Sequence, residues 1–234
     1  MLMLSIIIPT LNEEKYLPKL LESIKNQSYK NYEVIVADAG SKDKTRDIAK
    51  KYGCKVVGGG LPAVGRNNGA KVAKGNILLF LDADVWIDKN FLKKSIDEIE
   101  KDNLDAASVK IMPQTNKLLD KIFLGAFNFF ISTTQYFYPH AIGACIFCKK
   151  WLHEKIGGFN KKIAVAEDMD YAKRCRKYGK FRILKNVKLH FCMRRYEYYG
   201  RFNVALKILL GEIHRVFFGE LKKDVFKYKV RYRE

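Results

Sequence analysis

Proline and cysteine are scarce in this sequence, and long hydrophobic runs are missing. Five of the 234 residues are prolines while 48% are hydrophobic, a balance typical of folded globular chains rather than disordered or collagen-like ones. The five cysteines are an odd number in a chain large enough to bury a core without disulfides, which favours a reducing compartment. No stretch approaches the roughly 18 uninterrupted apolar residues of a membrane-spanning helix. We therefore expect a globular, cytoplasmic protein.

Common nucleotide-binding motifs are also missing. A dinucleotide-binding fold would place G-x-G-x-x-G after its first strand, and this chain has PTLNEE there. The P-loop pattern G-x-x-x-x-G-K-[ST] occurs nowhere in the chain. A sugar-phosphate nucleotidyltransferase would need a glycine-rich, basic loop after the first strand, and that loop is absent too. These absences exclude a dinucleotide-binding motif and a P-loop, and they disfavour a sugar-phosphate nucleotidyltransferase.

Acidic residues are few relative to basic ones, and the imbalance is uneven along the chain. The 44 lysines and arginines against 25 acidic residues leave a formal charge of +19. Residues 171–234 hold 19 basic and 5 acidic side chains, so most of the excess lies there. Such a block suits nucleic acid, anionic lipid or a phosphorylated substrate, and composition does not choose among them.

The first 113 residues alternate strand patterns with helix patterns. Apolar runs typical of strands buried on both faces cover 4–9, 32–38, 54–57 and 76–84. Helical spacing of apolar residues follows each of them, at 17–24, 44–52, 62–75 and 90–102. This order predicts an α/β fold with a doubly wound, mostly parallel sheet and right-handed crossovers.

Polar and acidic residues follow the predicted strands, at the edge where such sheets bind ligands. Thr10 and Glu13 follow the first strand, Asp38 ends the second, and Asp82 and Asp84 end the fourth. Two carboxylates in a D-x-D triplet can hold Mg²⁺ or Mn²⁺ against a diphosphate. An isolated triplet of this kind is more often a solvated turn, so the context has to support the metal interpretation.

That context is a set of motifs in a fixed order. They are SIIIPTLNEEKYLPKLLESI, EVIVADAGSKDKT, GRNNGAKVAKGNILLFLDAD, GGF and AEDMDYAKR. In this order they resemble family 2 glycosyltransferases of the GT-A fold, over residues 4 to about 180. The resemblance implies an inverting enzyme that uses a nucleotide-diphosphate sugar, UDP- or GDP-linked, with Mn²⁺ or Mg²⁺.

The resemblance also implies roles for the residues on the donor side. Pro9, Thr10 and Glu13 would line the nucleoside pocket, with Asp38 accepting a hydrogen bond from the base. The family often has D-D-G-S where this chain has Asp38-Ala39-Gly40-Ser41, which leaves the donor base open.

Further residues are implied for the diphosphate and for the acceptor. Asp82 and Asp84 would face the ribose and the metal-bound diphosphate, and Arg66 would approach the diphosphate as a fixed cation. Glu167 and Asp168 match the family's acceptor-side pair, in which Asp168 would be the general base. The alternatives are a solvated charge for Arg66 and a helix N-terminal carboxylate for Asp168.

Histidine and cysteine add less to the site. His190 follows a predicted strand and would be a further metal ligand, although a structural histidine is the commoner case. Cys145 and Cys148 have C-x-x-C spacing inside an apolar run, and we expect buried small side chains rather than a metal or redox site.

Two segments bear on the acceptor. Residues 118–140 are strongly apolar and aromatic, and we expect them to contribute to the core. Residues 202–218 have apolar positions every three or four residues between basic, tyrosine-rich flanks, as in a helix lying on an anionic membrane surface. A helix packed on the domain or on a second subunit is the alternative.

We therefore expect a GT-A catalytic domain over 1–193, with a nucleotide-sugar half at 1–113 and an acceptor half at 114–193. A basic amphipathic helical extension would follow at 194–234. The Q-x-x-R-W motif of processive synthases is absent, its nearest counterpart being CMRRY at 192–196, which favours single transfers.

The acceptor would be a polyprenyl phosphate or a lipid-linked glycan at the cytoplasmic face of the cell membrane, or else a soluble molecule. The alternative from another class is a non-catalytic, basic nucleic-acid-binding protein. Acidic residues at the strand ends would repel nucleic acid, so we expect no such partner.

Overall fold

The computed structural model describes residues 2–163, 166–193, 198–201, 203, 204, 210 and 214. The strands are β1 (Leu4–Thr10), β2 (Tyr32–Asp38), β3 (Lys55–Gly58), β4 (Ile77–Leu81), β5 (Val85–Trp86), β6 (Ala106–Pro113), β7 (Cys145–Lys149) and β8 (Phe181–Phe191). The helices are α1 (Leu17–Lys25), α2 (Thr45–Lys51), α3 (Pro62–Val72), α4 (Phe91–Lys101), α5 (Leu118–Thr134), α6 (Lys150–Lys155) and α7 (Glu167–Tyr178).

All eight strands form one sheet, in the order β3-β2-β1-β4-β7-β6-β8-β5. β1 pairs in parallel with β2 and β4, and β2 with β3, so these four carboxyl ends lie at one edge. β7 is antiparallel to both β4 and β6, and the short β5 is antiparallel to β8. The predicted mostly parallel, doubly wound α/β sheet is therefore confirmed. Two of its strands, β5 and β7, are antiparallel to their neighbours, which the apolar patterns in the sequence did not reveal.

Alternating residues of the strands build a core on each face of the sheet. Ile6 and Ile8 of β1 pack on one face with α1 and α4, while Ile7 packs on the other with α3, α6 and α7. Because helices cover both faces of the sheet, the sequences of β1 and β4 are nearly continuous apolar runs.

Helix α3 lies unusually close to β1 because it has glycines on the face that it turns to the sheet. A Cβ added at Gly69 would lie 2.4 Å from Ile7 Cγ2, and one at Gly65 would lie 3.2 Å from Pro9 Cβ. Any larger residue at Gly69 would push the helix away from the strand. This close packing brings Arg66, between the two glycines, to the carboxyl edge of the sheet.

Two expectations about individual segments need correction. The fourth strand ends at Leu81 and β5 starts at Val85, so the D-x-D triplet is a turn between two strands. The core assignment of residues 118–140 is wrong for most of the segment: within α5, Leu124 and Ile131 are the buried apolar residues, while Leu119 is 78% exposed. The segment is apolar all round, and that pattern alone does not reveal which side packs.

The extension predicted at 194–234 lies mainly outside the described residues. Where it is described, Val204 is buried and Arg201 forms an ion pair with Asp120 of α5. Within the described part of the chain, no helix is long and apolar enough to cross a membrane. Cys145 and Cys148 are buried free thiols, as expected. The boundaries after 113 and 193 stay predictions.

Candidate active site

The side chain of Arg66 joins the strand-end edge of the sheet to the start of α7. Its Nη2 donates to Asp82 Oδ1 at 2.9 Å and to the carbonyl of Gly143 at 3.1 Å. Its Nη1 donates to Glu167 Oε1 at 2.7 Å. Arg66 is 3% exposed, so these are charge-assisted hydrogen bonds largely shielded from water. The alternative that Arg66 is a solvated surface charge is thus excluded.

Carboxylates surround this arginine and shift its protonation equilibrium. Burial alone would lower the pKa of Arg66, but Asp82, Glu167 and Asp168 together raise it above its ordinary value. The guanidinium is therefore permanently charged. Its Nε is buried without a hydrogen-bond partner among the described residues, so the geometry of the fork is set by Nη1 and Nη2.

Asp82 and Asp84 are close enough to repel each other. Burial raises the pKa of Asp82, Arg66 opposes that change, and the neighbouring charge of Asp84 raises it further. The side chain of Asp82 is nevertheless 37% exposed. Two repelling carboxylates at an accessible strand end form an arrangement that a divalent cation would relieve.

The donor set fits Mg²⁺ or Mn²⁺ if the nucleotide supplies the remaining oxygens. Hard oxygen ligands suit both ions, which commonly keep waters and substrate phosphates in their shell. Across the described residues, no three His, Cys, Asp or Glu side chains gather as a metal-binding group. Asp82 and Asp84 would thus supply a partial site that a diphosphate completes.

Asp168 lies at the start of α7, next to Glu167 and opposite Gly143. Its Oδ1 accepts from the backbone N–H of Met169 at 2.9 Å. Its Oδ2 would lie 2.7 Å from a Cβ placed on Gly143, so any larger residue there would displace this carboxylate. Asp168 also lies close enough to Arg66 for its charge to raise the pKa of that guanidinium.

The residue before this pair has an uncommon backbone conformation. Ala166 has φ of 61° and ψ of 37°, the left-handed region that costs a non-glycine residue about 1–2 kcal/mol. Such strain often occurs where the surrounding structure fixes a functional group. Here it sets the direction in which Glu167 and Asp168 enter the helix.

Asp38 organises the turn after β2. Its Oδ1 accepts from the N–H groups of Gly40 and Ser41, and its Oδ2 accepts from the hydroxyls of Thr10 and Ser41. Arg46 Nε lies 3.6 Å from Oδ1. Both carboxylate oxygens of Asp38 therefore already accept hydrogen bonds from the protein. The predicted hydrogen bond from a donor base would come in addition to these four.

Pro9 lies near the end of β1 and Glu13 in the loop after it, and their role at a nucleoside stays a prediction. Pro9 borders Gly65 of α3. Glu13 is 4% exposed, and its backbone N–H donates to Thr45 Oγ1 at 2.8 Å while its carbonyl accepts from Leu17. The strand ends thus meet, with Thr10 3.1 Å from Asp38 across β1 and β2.

His190 has a partner other than the D-x-D pair. Its Nε2 lies 3.0 Å from Asp88 Oδ1, and its ring stacks on Trp86 with centroids 5.6 Å apart. Lys19 covers Trp86 with its Nζ 3.1 Å from the ring centroid. A role for His190 as a metal ligand stays a prediction that these contacts disfavour.

Two residues of the site could not be found by reading motifs one at a time. Asn67 makes a two-way amide contact with Phe159, donating to its carbonyl and accepting from its N–H, both at 2.8 Å. This contact joins the GRNNG and GGF motifs, which are 92 positions apart. Gly143 lies in a segment with no motif, and only its contacts with Arg66 and Asp168 reveal it.

The chain is similar to known proteins in sequence and in fold. A family model described as glycosyl transferase family 2 matches residues 5–156. The chain is 35% identical over 121 residues to the poly(ribitol-phosphate) beta-N-acetylglucosaminyltransferase TarS of Staphylococcus aureus, covering 47% of this chain and 21% of TarS.

A second relative comes from Methanococcus voltae. It is the dolichyl N-acetyl-alpha-D-glucosaminyl phosphate 3-beta-D-2,3-diacetamido-2,3-dideoxy-beta-D-glucuronosyltransferase, 35% identical over 109 residues, which cover 42% of this chain and 34% of the relative. The chain thus spans about a fifth of the first curated relative and a third of the second.

Solved structures share the fold. A crystal structure of S. aureus TarS in complex with UDP-GlcNAc superposes with a TM-score of 0.67 at 22% identity, covering 98% of this chain and 76% of that one. The mannosyltransferase PcManGT of Pyrobaculum calidifontis, in complex with GDP-Man and Mn²⁺, gives 0.70 at 19% identity, covering 88% and 61%. At these identities the likeness confirms the GT-A fold alone. The family match covers more than half of the residues, and the chain therefore belongs to glycosyl transferase family 2.

Proposed function

We propose that this protein transfers a single sugar from a nucleotide-diphosphate sugar to an acceptor, with inversion at the anomeric carbon. The observation that carries the proposal is the position of Arg66, which binds Asp82 at the strand end and Glu167 at the start of α7. One buried cation thereby holds a donor-side carboxylate and an acceptor-side carboxylate in fixed relation. Transfer between two substrates needs that relation, because reacting groups must meet within about 3–3.5 Å.

The donor would lie across the carboxyl ends of β1, β2 and β4, with its nucleoside near Pro9, Thr10 and Asp38. UDP- and GDP-linked sugars are the two candidates. They are supported by the ligands of the structural neighbours, UDP-GlcNAc in TarS and GDP-Man in PcManGT.

Asp82 and Asp84 would hold Mn²⁺ or Mg²⁺ together with the diphosphate. Bound there, the ion would neutralise charge that develops on the leaving nucleotide. Arg66 would hold Asp82 in place through Oδ1 and add a permanent positive charge beside it. PcManGT, one of the structural neighbours, carries Mn²⁺.

Asp168 would act as the general base toward a hydroxyl acceptor. Glu167 accepts from Arg66, whereas Asp168 is oriented by the N–H of Met169 and faces Gly143. A base on the far side of the anomeric carbon from the leaving group produces an inverting displacement. A phosphate acceptor is already anionic and would need this base much less.

The acceptor would be a polyprenyl phosphate or a lipid-linked glycan at the cytoplasmic surface of a membrane. The net charge of +19 suits an anionic surface or substrate. The M. voltae relative is named for a dolichyl-linked acceptor, and TarS for a poly(ribitol-phosphate). A nucleic-acid-binding role is the weaker proposal, since Asp82, Asp84, Glu167 and Asp168 would repel a polyanion.

A donor screen tests the proposal. Purified protein is incubated with UDP-GlcNAc, UDP-glucose or GDP-mannose and Mn²⁺, with a short-chain polyprenyl phosphate or a hydroxyl acceptor, and release of UDP or GDP is measured. We expect Asp168→Asn to lose transfer to the hydroxyl acceptor while it still binds the donor. Asp170→Asn on the same helix is the matched control, because Asp170 pairs with Arg174 outside the cluster. No release from any donor would contradict the proposal.

A further inference from the structure

Helix α5 presents a strongly apolar face to solvent. We call it the α5 face, and it consists of Leu118, Leu119, Ile122, Phe123, Phe129 and Phe130. Each of these side chains is at least half exposed, with Phe129 at 72%. Phe137, in the turn after the helix, is 91% exposed. Contiguous apolar patches of this kind are uncommon on monomeric soluble proteins and mark interaction surfaces.

The opposite side of α5 holds the helix on the domain, so the exposed face is not a sign of a loose helix. Leu124 and Ile131 are buried, with Leu124 packing against Ile111 and Met193. The amide of Asn128 exchanges hydrogen bonds with the backbone of Ile111, at 3.0 Å and 2.8 Å. Among the described residues, these contacts anchor the helix through the side opposite the α5 face, which is exposed.

In the described part of the chain, basic side chains lie at both ends of the α5 face. Lys117 and Lys121 are exposed at its N-terminal end. At the other end Arg176 donates to the carbonyls of Gln135 and Tyr136, and Arg182 lies over the ring of Tyr136. Basic groups at both ends of an apolar stripe match a layer of anionic head groups above acyl chains.

The single acidic residue of this helix is withdrawn from the surface. Asp120 is 4% exposed, and its carboxylate accepts from Arg201 Nε at 2.5 Å and Nη2 at 3.0 Å. Within α5, all of which the structure describes, no exposed carboxylate therefore opposes an anionic surface. A second protein as partner would need no such one-sided charge pattern.

The α5 face is also connected to the acceptor side of the candidate site. Phe130 contacts the ring of His140, whose Nε2 lies 2.7 Å from Thr134 Oγ1. The chain then continues through Ile142 to Gly143, which borders both Arg66 and Asp168. A surface that α5 contacts would therefore lie beside the acceptor carboxylates rather than behind the sheet.

We propose that the α5 face inserts into the interface of an anionic lipid bilayer and so brings the acceptor side of the site to the membrane. The proposal deepens the proposed function, on which it rests for the lipid-linked acceptor, by assigning the contact to α5. Aromatic and leucine side chains would enter the head-group and acyl boundary, and the lysines and arginines would contact the lipid phosphates.

Vesicle binding of the full chain tests the assignment. Co-sedimentation is measured with vesicles of phosphatidylcholine and phosphatidylglycerol in equal parts, and with phosphatidylcholine alone. We expect Phe123→Ser/Phe129→Ser to lower the partition coefficient on the mixed vesicles by about tenfold or more. Trp151→Ser/Tyr178→Ser removes two exposed aromatic residues elsewhere and should leave binding unchanged.

A gain-of-signal variant keeps the test valid even if the serine variants fold poorly. Phe129→Trp places a fluorophore on the α5 face, and Tyr178→Trp places one on α7 as a control. We expect the emission of Phe129→Trp to shift to the blue on mixed vesicles and to be quenched by brominated lipid. The emission of Tyr178→Trp should change no more than that of the wild type.

Three results would overturn the proposal. The first is equal vesicle binding by wild type and Phe123→Ser/Phe129→Ser together with an unshifted Phe129→Trp emission. The second is no vesicle binding by the wild type. The third is a wild-type dimer in sedimentation equilibrium that the double variant converts to a monomer, which would assign the face to a second copy. Nucleotide release from a donor without vesicles reports on the proposed function separately, since the α5 variants leave that site intact.

Discussion

Arg66 and Glu167 are 101 positions apart in the sequence, yet Nη1 of the arginine lies 2.7 Å from Oε1 of the glutamate. The same guanidinium contacts Asp82 in the turn after β4. α7 is therefore tied to the strand-end edge by a polar contact in addition to the packing of Tyr171 on Phe80. Arg66 thereby holds Glu167, at the start of α7, beside the turn after β4.

Replacing Arg66 by methionine should lower the free energy of unfolding. Removing one partner of a fully buried pair costs about 3–5 kcal/mol, and partial exposure of Asp82 and Glu167 reduces this to about 2 kcal/mol. Urea unfolding measures the change. Arg46→Met is the matched control, because its guanidinium is 56% exposed and its loss should cost less than about 1 kcal/mol. Equal effects of the two substitutions would contradict the assigned role.

Gly143→Ala should impair transfer without impairing donor binding. The new Cβ would lie 2.7 Å from Asp168 Oδ2, so the carboxylate would have to move. A displacement of about 1 Å at a catalytic group can cost about 100-fold in rate, and we expect a loss of between about tenfold and 100-fold. Steady-state transfer and donor calorimetry separate the two effects.

Gly125→Ala is the control for that substitution. A Cβ at Gly125 would meet no atom within 4 Å, and the helix should gain about 0.5–1 kcal/mol in stability. Its transfer rate should equal that of the wild type. Normal transfer by Gly143→Ala would instead show that Asp168 is not positioned against this glycine for catalysis.

Stability should fall in mild acid because of His153. Burial, with a smaller effect of Arg174, lowers the pKa of His153 from 6.5 to about 4 in the folded protein. Above pH 6.5 the ring is neutral in both states. Between pH 6.5 and 4 the unfolded chain binds the proton and the folded one does not, so the free energy of unfolding falls by up to about 3 kcal/mol.

Urea titrations at a series of pH values would reveal this loss. His153→Gln should flatten it, while the glutamine amide can still form a hydrogen bond with the hydroxyl of Tyr171, which lies 2.8 Å from His153 Nδ1. His190→Gln leaves His153 in place and should retain the loss. The same acid dependence in wild type and His153→Gln would refute the assignment.

The sequence predicted those parts of the fold that local patterns determine. The second strand was predicted at 32–38, and the structure has β2 at Tyr32–Asp38, because an apolar run of strand length is bounded by turn residues. The meeting of Thr10 and Asp38 followed from parallel strands ending at one edge. The motif order also identified the family.

Contacts between distant segments could not be predicted in this way. Nothing near Arg66 in the sequence indicates Glu167 as its partner, and nothing near Gly143 indicates a site. The exposure of α5 was misjudged because an apolar helix has the same composition whether it packs in a core or faces a partner. Burial and pairing in these cases depend on the tertiary structure.

Metal-dependent nucleotide binding at the D-x-D turn tests the central claim most directly. Calorimetry would measure the affinity for UDP and GDP with and without Mn²⁺, in wild type, Asp84→Asn and the control Asp88→Asn, whose carboxylate contacts His190 instead. We expect Mn²⁺ to strengthen binding of one nucleotide at least about tenfold in wild type and Asp88→Asn, and to have little effect in Asp84→Asn. Binding that is equally strong in all three proteins, with or without Mn²⁺, would contradict the account.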